Sequence, residues 1–367
     1  MNKKLKIAII GSRGYPYIYS GYETLVKELS ERLVKKGHIV RVYCHCNLFE
    51  KKPKNVNGIE LIYTPSIKSK VLSQLYNSFF SFLHVCFSDN DVVLVVNSAN
   101  GPYGILTKLF KKKTCINVDG LEWLRPKWKG LGSLYFLFSS WLSTIFFDKI
   151  ITDSFEMKKI YLSKFKKNSS VISYGSTMLR TNFNSILFKY NLKKNQYYLI
   201  VGRLIPDNNS LLILNGFIKS KSNKKLVIVG DVPYKDYYSN NIKSLASKKI
   251  IFTGYIKSQN ALSSLYQNSF AYIHGHEYGG TNPTMINALD LNCEIIALKT
   301  KFNIEMLEGK ESIFFEKNEF SVSESLNIFE KSHKNLRKKN IKYKLPKNYT
   351  WFHISNQYIN HFKSLME

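Results

Sequence analysis

The chain has 367 residues, 44% of them hydrophobic and 14% aromatic, which excludes a disordered or low-complexity protein and suits two α/β domains of similar size. Lys and Arg number 54 against 26 Asp and Glu, a formal charge of +28 that attracts polyanions such as nucleic acid, anionic lipid or phosphorylated substrate. An AT-rich genome produces the same Lys and Asn enrichment, so the charge alone does not choose. With no zinc-finger spacing, RNP-like aromatic pattern or base-reading basic helix, nucleic acid is the least favoured partner, and an anionic membrane face fits better.

In chain order, the basic start runs straight into a strand at residues 6–11, without a signal-peptide cleavage site. Residues 21–36 carry Leu25, Leu29 and Leu33 at helical spacing and stop at Gly37, and residues 39–43 form the next strand. A β-loop-α-β unit with Gly11, Ser12, Arg13 and Gly14 in its crossover opens a doubly wound nucleotide fold. Further strands are expected at 59–63, 92–96, 114–118, 149–152 and 170–172, alternating with helices as in a parallel sheet. The Asn-, Ser- and Lys-rich stretch 175–194 is the expected linker. A second set of strands follows at 197–201, 225–229, 250–252, 271–274, 294–297 and 313–315, and residues 351–366 form a closing helix.

Residues 71–87 and 125–147 combine aromatics with nearby cations, and both are apolar nearly all round. They read either as core helices or as surfaces that dock on an anionic membrane. Residues 131–147 are uncharged but studded with Ser and shorter than the roughly 20 apolar residues of a spanning helix. Cys44, Cys46, Cys86, Cys115 and Cys293 are odd in number and scattered, as reduced core residues are. Cys44 and Cys46 flank His45, but without a second ligand pair no metal is expected.

Three stretches carry chemistry. His274, Gly275, His276, Glu277, Tyr278, Gly279, Gly280, Thr281, Asn282 and Pro283 follow a strand and precede a helix at 284–291. Paired glycines let backbone N–H groups approach a phosphate, Asn282 or Thr281 caps the helix, and Pro283 suits its first turn. Residues 201–209 place Arg203 at the end of the second domain's first strand. There it either clamps a diphosphate or is a surface charge, depending on whether it shares a site with the glycine loop. Residues 117–128 leave a strand with Asp119, Glu122, Trp123, Arg125, Lys127 and Trp128 close together. Asp119 either orients and deprotonates an acceptor hydroxyl or merely caps the next helix, and the tryptophans either stack on a sugar or belong to the core.

These stretches in this order, together with Gly11 to Pro16 and Gly21, Tyr22, Glu23 and Thr24, resemble a bacterial subgroup of glycosyltransferase family 4 over nearly the whole chain. That subgroup carries a DUF1972, rhamnosyltransferase-like N-terminal domain and works in capsule and O-antigen assembly. The resemblance implies an α/β fold of the GT-B type: two Rossmann-like, doubly wound parallel-sheet domains facing a cleft, with the C-terminal helix packing back across the hinge. An acceptor-side domain is expected at 1–180, a nucleotide-sugar domain at 190–345 and the crossover helix at 350–367. It further implies a retaining, metal-independent hexosyltransferase without a cofactor, cytoplasmic and peripheral on the inner membrane. The donor would be of the dTDP-L-rhamnose kind and the acceptor a polyprenyl-diphosphate-linked sugar.

Asp119, Arg203 and His276 are the expected catalytic residues. Donor contacts are assigned to Gly14, Arg203, Asn208, His274, Glu277, Gly279, Gly280, Thr281, Asn282 and Asn287. Acceptor contacts are assigned to Gly21, Glu23, Asp119, Glu122, Trp123, Arg125 and Lys127. Asn208 replaces a lysine of the broader family, and Asn287 replaces the glutamate that holds the nucleotide's ribose, which bears on donor preference. A sugar-nucleotide epimerase of the same architecture and a catalytically silent scaffold binding lipid or polysaccharide are the competing readings.

Overall fold

A computed structural model describes residues 4–16, 21–69, 72–232, 236–336 and 344–367, with side chains described up to residue 332 in the long helix Glu319–Leu336. The chain forms two compact units, residues 1–175 with 347–367, and residues 176–346.

The first unit holds β1 (Lys6–Ile10), β2 (Ile39–His45), β3 (Asn55–Val56), β4 (Ile59–Thr64), β5 (Val92–Val96), β6 (Thr114–Val118), β7 (Lys149–Thr152) and β8 (Ser170–Val171), in the order β3-β4-β2-β1-β5-β6-β7-β8. Every pairing is parallel except that of β3 with β4, and of these two only β3 lies outside the expected strands. Strands β5 and β6 are buried along their whole length, as the Val-rich and apolar runs of a two-sided parallel sheet require. Helices α1 (Gly21–Lys35), α2 (Leu72–Cys86), α3 (Gly104–Leu109), α4 (Leu131–Phe146) and α5 (Phe155–Phe165) form the connections.

The closing helix Trp351–Lys363 belongs to this unit and packs on α1. Ile354 and Phe362 are fully buried, worth about 1.5–3 kcal/mol each. Asn117 on β6 donates to the Tyr358 hydroxyl at 2.9 Å. Gly175 lies so close to Trp351 that a Cβ there would fall 2.8 Å from the indole.

The second unit holds β9 (Tyr197–Val201), β10 (Lys225–Val229), β11 (Ile250–Gly254), β12 (Ala271–His274), β13 (Ile295–Leu298) and β14 (Ile313–Phe315) in the order β11-β10-β9-β12-β13-β14. Tyr198, Ile200, Ile273 and Phe315 of the sheet close a core with Phe217 and Phe329 of the covering helices. The expected linker is corrected here. The change of unit falls at Gly175–Ser176, and residues 176–194 are packed chain: the Thr181 amide donates to Gln267 at 2.8 Å, and Ile186 and Leu187 are buried in a short helix, Ser185–Lys189. Polar composition resembled a linker because these polar groups are spent on hydrogen bonds.

Numbered from its own first strand, the second sheet runs 3-2-1-4-5-6, and β4-β2-β1-β5-β6-β7 repeats that order in the first. In such sheets the order reverses between strands 1 and 4, and the loops leaving those strands at their carboxyl ends border the ligand crevice. In the second unit those are the loops after β9 and β12, and in the first those after β1 and β5.

Candidate functional site

The loop after β9 carries Arg203, and the loop after β12 carries the paired glycines. Since β9 and β12 are adjacent, the loops start side by side, and hydrogen bonds then lock them together. The Glu277 amide donates to the Asp207 carbonyl at 3.2 Å, and Asn209 donates its amide N–H to the Gly275 carbonyl at 2.8 Å. Gly275 is needed for this approach, because a Cβ there would sit 2.5 Å from the Asn208 carbonyl oxygen and 2.7 Å from Ile213.

Asn208 is the bridge. Its amide nitrogen donates to the Arg203 carbonyl at 2.8 Å, so its oxygen faces His276 Nδ1, also at 2.8 Å. That oxygen can only accept, which puts a proton on Nδ1. Arg203 is partly exposed, and among the described residues no carboxylate pairs with its guanidinium.

Gly279, with φ +125°, and Gly280 are buried, and among the described residues no carbonyl takes either amide. Asn282 caps the helix Pro283–Asp290, its side-chain oxygen accepting from the Thr284 amide at 3.0 Å, with Pro283 in the first turn and Thr281 buried beside it. The arrangement is a guanidinium and main-chain N–H groups on two interlocked loops, and such groups stabilise a diphosphate.

Three residues assigned to the donor are corrected to packing roles. His274 is 2% exposed, its Nδ1 bonded to the Tyr272 hydroxyl at 2.9 Å, and burial drives its pKa well below the ordinary value, so it is a neutral core group. Asn287 is buried, and its oxygen accepts from Ser176 Oγ and the Thr177 amide, both at 3.3 Å, so that oxygen is spent within the unit. Gly14, with φ +117°, lies against β2, where a Cβ would fall 2.7 Å from Cys44 Sγ. Glu277 is held by Lys317 at 2.6 Å.

In the first unit, Asp119 follows β6. The 3-10 turn Glu122–Leu124 has Leu121 at its N-cap and no side-chain cap, so Asp119 is not a helix cap. Tyr174 donates to its Oδ2 at 2.9 Å, and the Tyr22 hydroxyl both donates to the Asp119 carbonyl at 3.0 Å and accepts from its amide at 3.2 Å. Behind it Asp153, fully buried, is hydrogen-bonded to the Asp119 carboxylate. Two carboxylates in one hydrogen bond share a proton. Burial raises the Asp119 pKa, against the pull of the Tyr174 hydrogen bond and the Arg125 charge. A partly exposed carboxylate with raised basicity suits taking a proton from a hydroxyl.

The remaining acceptor-side residues form an internal network. Glu122 accepts from Trp128 Nε1 at 2.8 Å and forms ion pairs with Arg125, 2.8 Å from Nε, and with Lys127 at 3.1 Å. Burial would raise its pKa, but the Arg125 and Lys127 charges with the Trp128 N–H bring it below the ordinary value. Trp123 is corrected from sugar platform to core: it is 9% exposed and packs edge-on against Tyr161 and Phe165 of α5. Trp128 likewise rests on Phe136 of α4. Gly21 opens α1, and buried Glu23 accepts from the Arg13 amide at 3.1 Å, tying α1 to the loop after β1.

Sequence reasoning missed Asp153, Tyr22 and Tyr174. For Asp153 a signal existed: Val118 and Thr152 are register partners on adjacent parallel strands, so the acids that follow them emerge together. Among the described residues no group of three or more His, Cys, Asp or Glu could hold a metal ion.

With this geometry in hand, residues 4–177 match the family described as Domain of unknown function (DUF1972), and residues 182–345 match Glycosyl transferases group 1. The chain carries a group 1 glycosyltransferase domain behind a DUF1972 domain. That pairing supports a sugar-transferring function, and the two loops around Arg203 lie wholly within the glycosyltransferase match.

No curated protein matches the chain. Among solved structures, sucrose-phosphate synthase from Thermosynechococcus elongatus superposes with a TM-score of 0.78 at 14% identity, covering 99% of each chain. Anabaena HepE in complex with UDP gives 0.75 at 12% identity, covering 98% of this chain and 100% of its own. A putative UDP-N-acetylglucosamine 2-epimerase from Listeria monocytogenes gives 0.65 at 14%, covering 100% and 97%. These likenesses establish two parallel-sheet α/β domains of the GT-B class.

Proposed function

We propose that the chain is a retaining glycosyltransferase that moves L-rhamnose from dTDP-L-rhamnose to a lipid-diphosphate-linked oligosaccharide. It works in O-antigen or capsule assembly, at the cytoplasmic face of the inner membrane. The observation that supports the transfer reading is the interlocking of the loops after β9 and β12, the one carrying Arg203 and the other Gly279 and Gly280. A nucleotide-sugar donor is also supported by the likeness to HepE, whose structures hold UDP and UDP-glucose. The sugar, the acceptor and retention rest on the family resemblance of the motifs.

In this reading Arg203 and the glycine amides neutralise the departing diphosphate with no metal or cofactor required, so much of the catalysis is electrostatic. His276 is held through Nδ1 by Asn208 in the same pair of loops. On the acceptor side, Asp119 orients the attacking hydroxyl and takes its proton, its basicity raised by burial.

The epimerase reading keeps one observation in its favour: Trp123, which would have marked an acceptor pocket, is core. A silent scaffold is favoured only by the engagement of Asn287 with Ser176 and Thr177. Incubating the protein with nucleotide sugars, with and without a synthetic lipid-diphosphate acceptor, and identifying products by mass spectrometry separates the three. Transfer gives an extended acceptor only when both substrates are present. An altered donor without acceptor supports the epimerase, and unchanged donors in both mixtures support the scaffold.

A further inference from the structure

One helix of the first unit has its usual polarity reversed, and a second is apolar on both faces. On α4 the buried face is Ser139, Ser140, Ser143 and Thr144, with Phe136, whereas Leu131, Leu134, Phe138, Trp141 and Ile145 are exposed. The exposed positions step by three and four residues, so they form one stripe along the whole helix, with Leu131 85% and Phe138 51% exposed. A soluble protein's surface helix normally has the opposite polarity.

The hydroxyl face has a structural role. Small residues let α4 press onto the 3-10 segment Ser98–Tyr103, where a Cβ on Gly101 would fall 1.9 Å from the Ser139 carbonyl oxygen. Ser139 donates to the Ser98 carbonyl at 2.6 Å.

Helix α2 carries a similar outer stripe. Leu72, Tyr76, Phe79 and Leu83 stand exposed at the same spacing, while its buried face mixes Asn77, Ser78 and Ser81, Asn77 donating to Thr64 Oγ1 at 2.8 Å, with Phe82, Val85 and Cys86. Between them α3 packs on both neighbours and adds Ile105 and Leu109 to the exposed set. Phe110 just beyond it meets Phe87, their rings 4.9 Å apart. Of the two segments that the sequence left between core and docking, each therefore has a core face and an apolar outer face; residue 71 lies outside the described residues.

Charge selects the occupant. From residue 72 to residue 147 the acids are Asp89, Asp91, Asp119 and Glu122, Asp89 engaged by Lys6 and Arg41, Asp91 by the Lys6 amide, and the other two within the Asp119 loop. Lys108, Lys111, Lys113, Lys127 and Lys129 accompany the apolar stripes through the same stretch. Lys108 Nζ reaches the Ile145 carbonyl at the end of α4. A second copy docking symmetrically would set lysines against lysines, whereas anionic headgroups complement them while the interfacial layer takes the aromatic and aliphatic groups. No helix among the described residues is long and apolar enough to cross a membrane, so a surface of this kind lies on the bilayer.

We infer that α2, α3 and α4 form one continuous docking surface for an anionic bilayer, with the stripe Leu131–Ile145 inserted among the acyl-chain ends and the neighbouring lysines on the headgroups. This names the surface behind the membrane-face location proposed above and rests on that reading only for its biological setting.

The test is sedimentation of the full chain with phosphatidylethanolamine–phosphatidylglycerol vesicles at low salt, beside vesicles of phosphatidylcholine alone. Wild type should pellet with the anionic vesicles and far less with the neutral ones. The double variant Phe138→Ser, Trp141→Ser should lose at least about tenfold in partition, and each of Lys113→Ser and Lys129→Ser about fivefold. Both of the double variant's positions are exposed, so its circular dichroism and transfer to a short soluble acceptor should stay at the wild-type level. Wild type that stays in the supernatant with anionic vesicles overturns the inference. So does a concentration-dependent dimer that the double variant abolishes without any vesicle effect. Vesicle binding without transfer leaves this inference standing and removes the transferase reading, and the converse result does the opposite.

Discussion

The loops around Arg203 and the loop around Asp119 sit at the carboxyl ends of similarly ordered sheets, yet they handle charge in opposite ways. After β6, Glu122 is matched by Arg125, Lys127 and Trp128, so its charges are spent on holding the loop's shape. After β9, Arg203 has no acidic partner among the described residues, while the loop's shape is held by neutral groups, Asn208, Asn209 and Gly275. A cation whose partner is supplied by its own chain is architecture, and one without an acid of its own is open to an anion from outside.

Four substitutions can break or sharpen that contrast. The largest effect on stability is expected for Arg125→Ala, which takes the buried guanidinium from Glu122, leaves that carboxylate only Lys127 and Trp128, and should cost about 3 kcal/mol by denaturant unfolding. Arg203→Ala should do the reverse, lowering the transfer rate roughly a hundred- to a thousandfold while the melting temperature stays near wild type. If Arg203→Ala unfolds the protein instead, the distinction between the two arginines fails. Gly275→Ala forces the interlocked loops apart and should lose about 1–3 kcal/mol together with nucleotide binding; calorimetry on both properties checks it.

The smallest effect concerns pH. Transfer needs ionised Asp119, and its raised pKa places the acid limb of the rate profile above the ordinary carboxylate range. Burial causes that rise, and the hydrogen bond from Asp153 works against it. Asp153→Ala removes the bond, so the acid limb should move to higher pH. A limb that does not move would show that Asp153 is only structural.

Strand and helix periodicity made both sheets legible, because parallel strands buried on two faces are short apolar runs closed by loops. The two-residue strand β3 offers too little pattern to recognise, and residues 176–194 were misread because the bonds that bury them, such as Thr181 to Gln267, span distant sequence. At the site, the loops after β9 and β12 could be read from Arg and Gly placed just beyond strands. Trp123 could not, since its partner Phe165 lies on α5, and neither could the engagement of Asn287 by Ser176. On α4 the apolar content hid which face is inside. The hydroxyl pairs Ser139–Ser143 and Ser140–Thr144, four residues apart, were the available signal.

The most direct test is titration calorimetry of dTDP and UDP into wild type and Arg203→Ala. The account predicts saturable binding of at least one nucleoside diphosphate by wild type, weakened about 10- to 100-fold in the variant. Equal affinity in the two proteins, or no binding of either nucleotide to wild type, would contradict it.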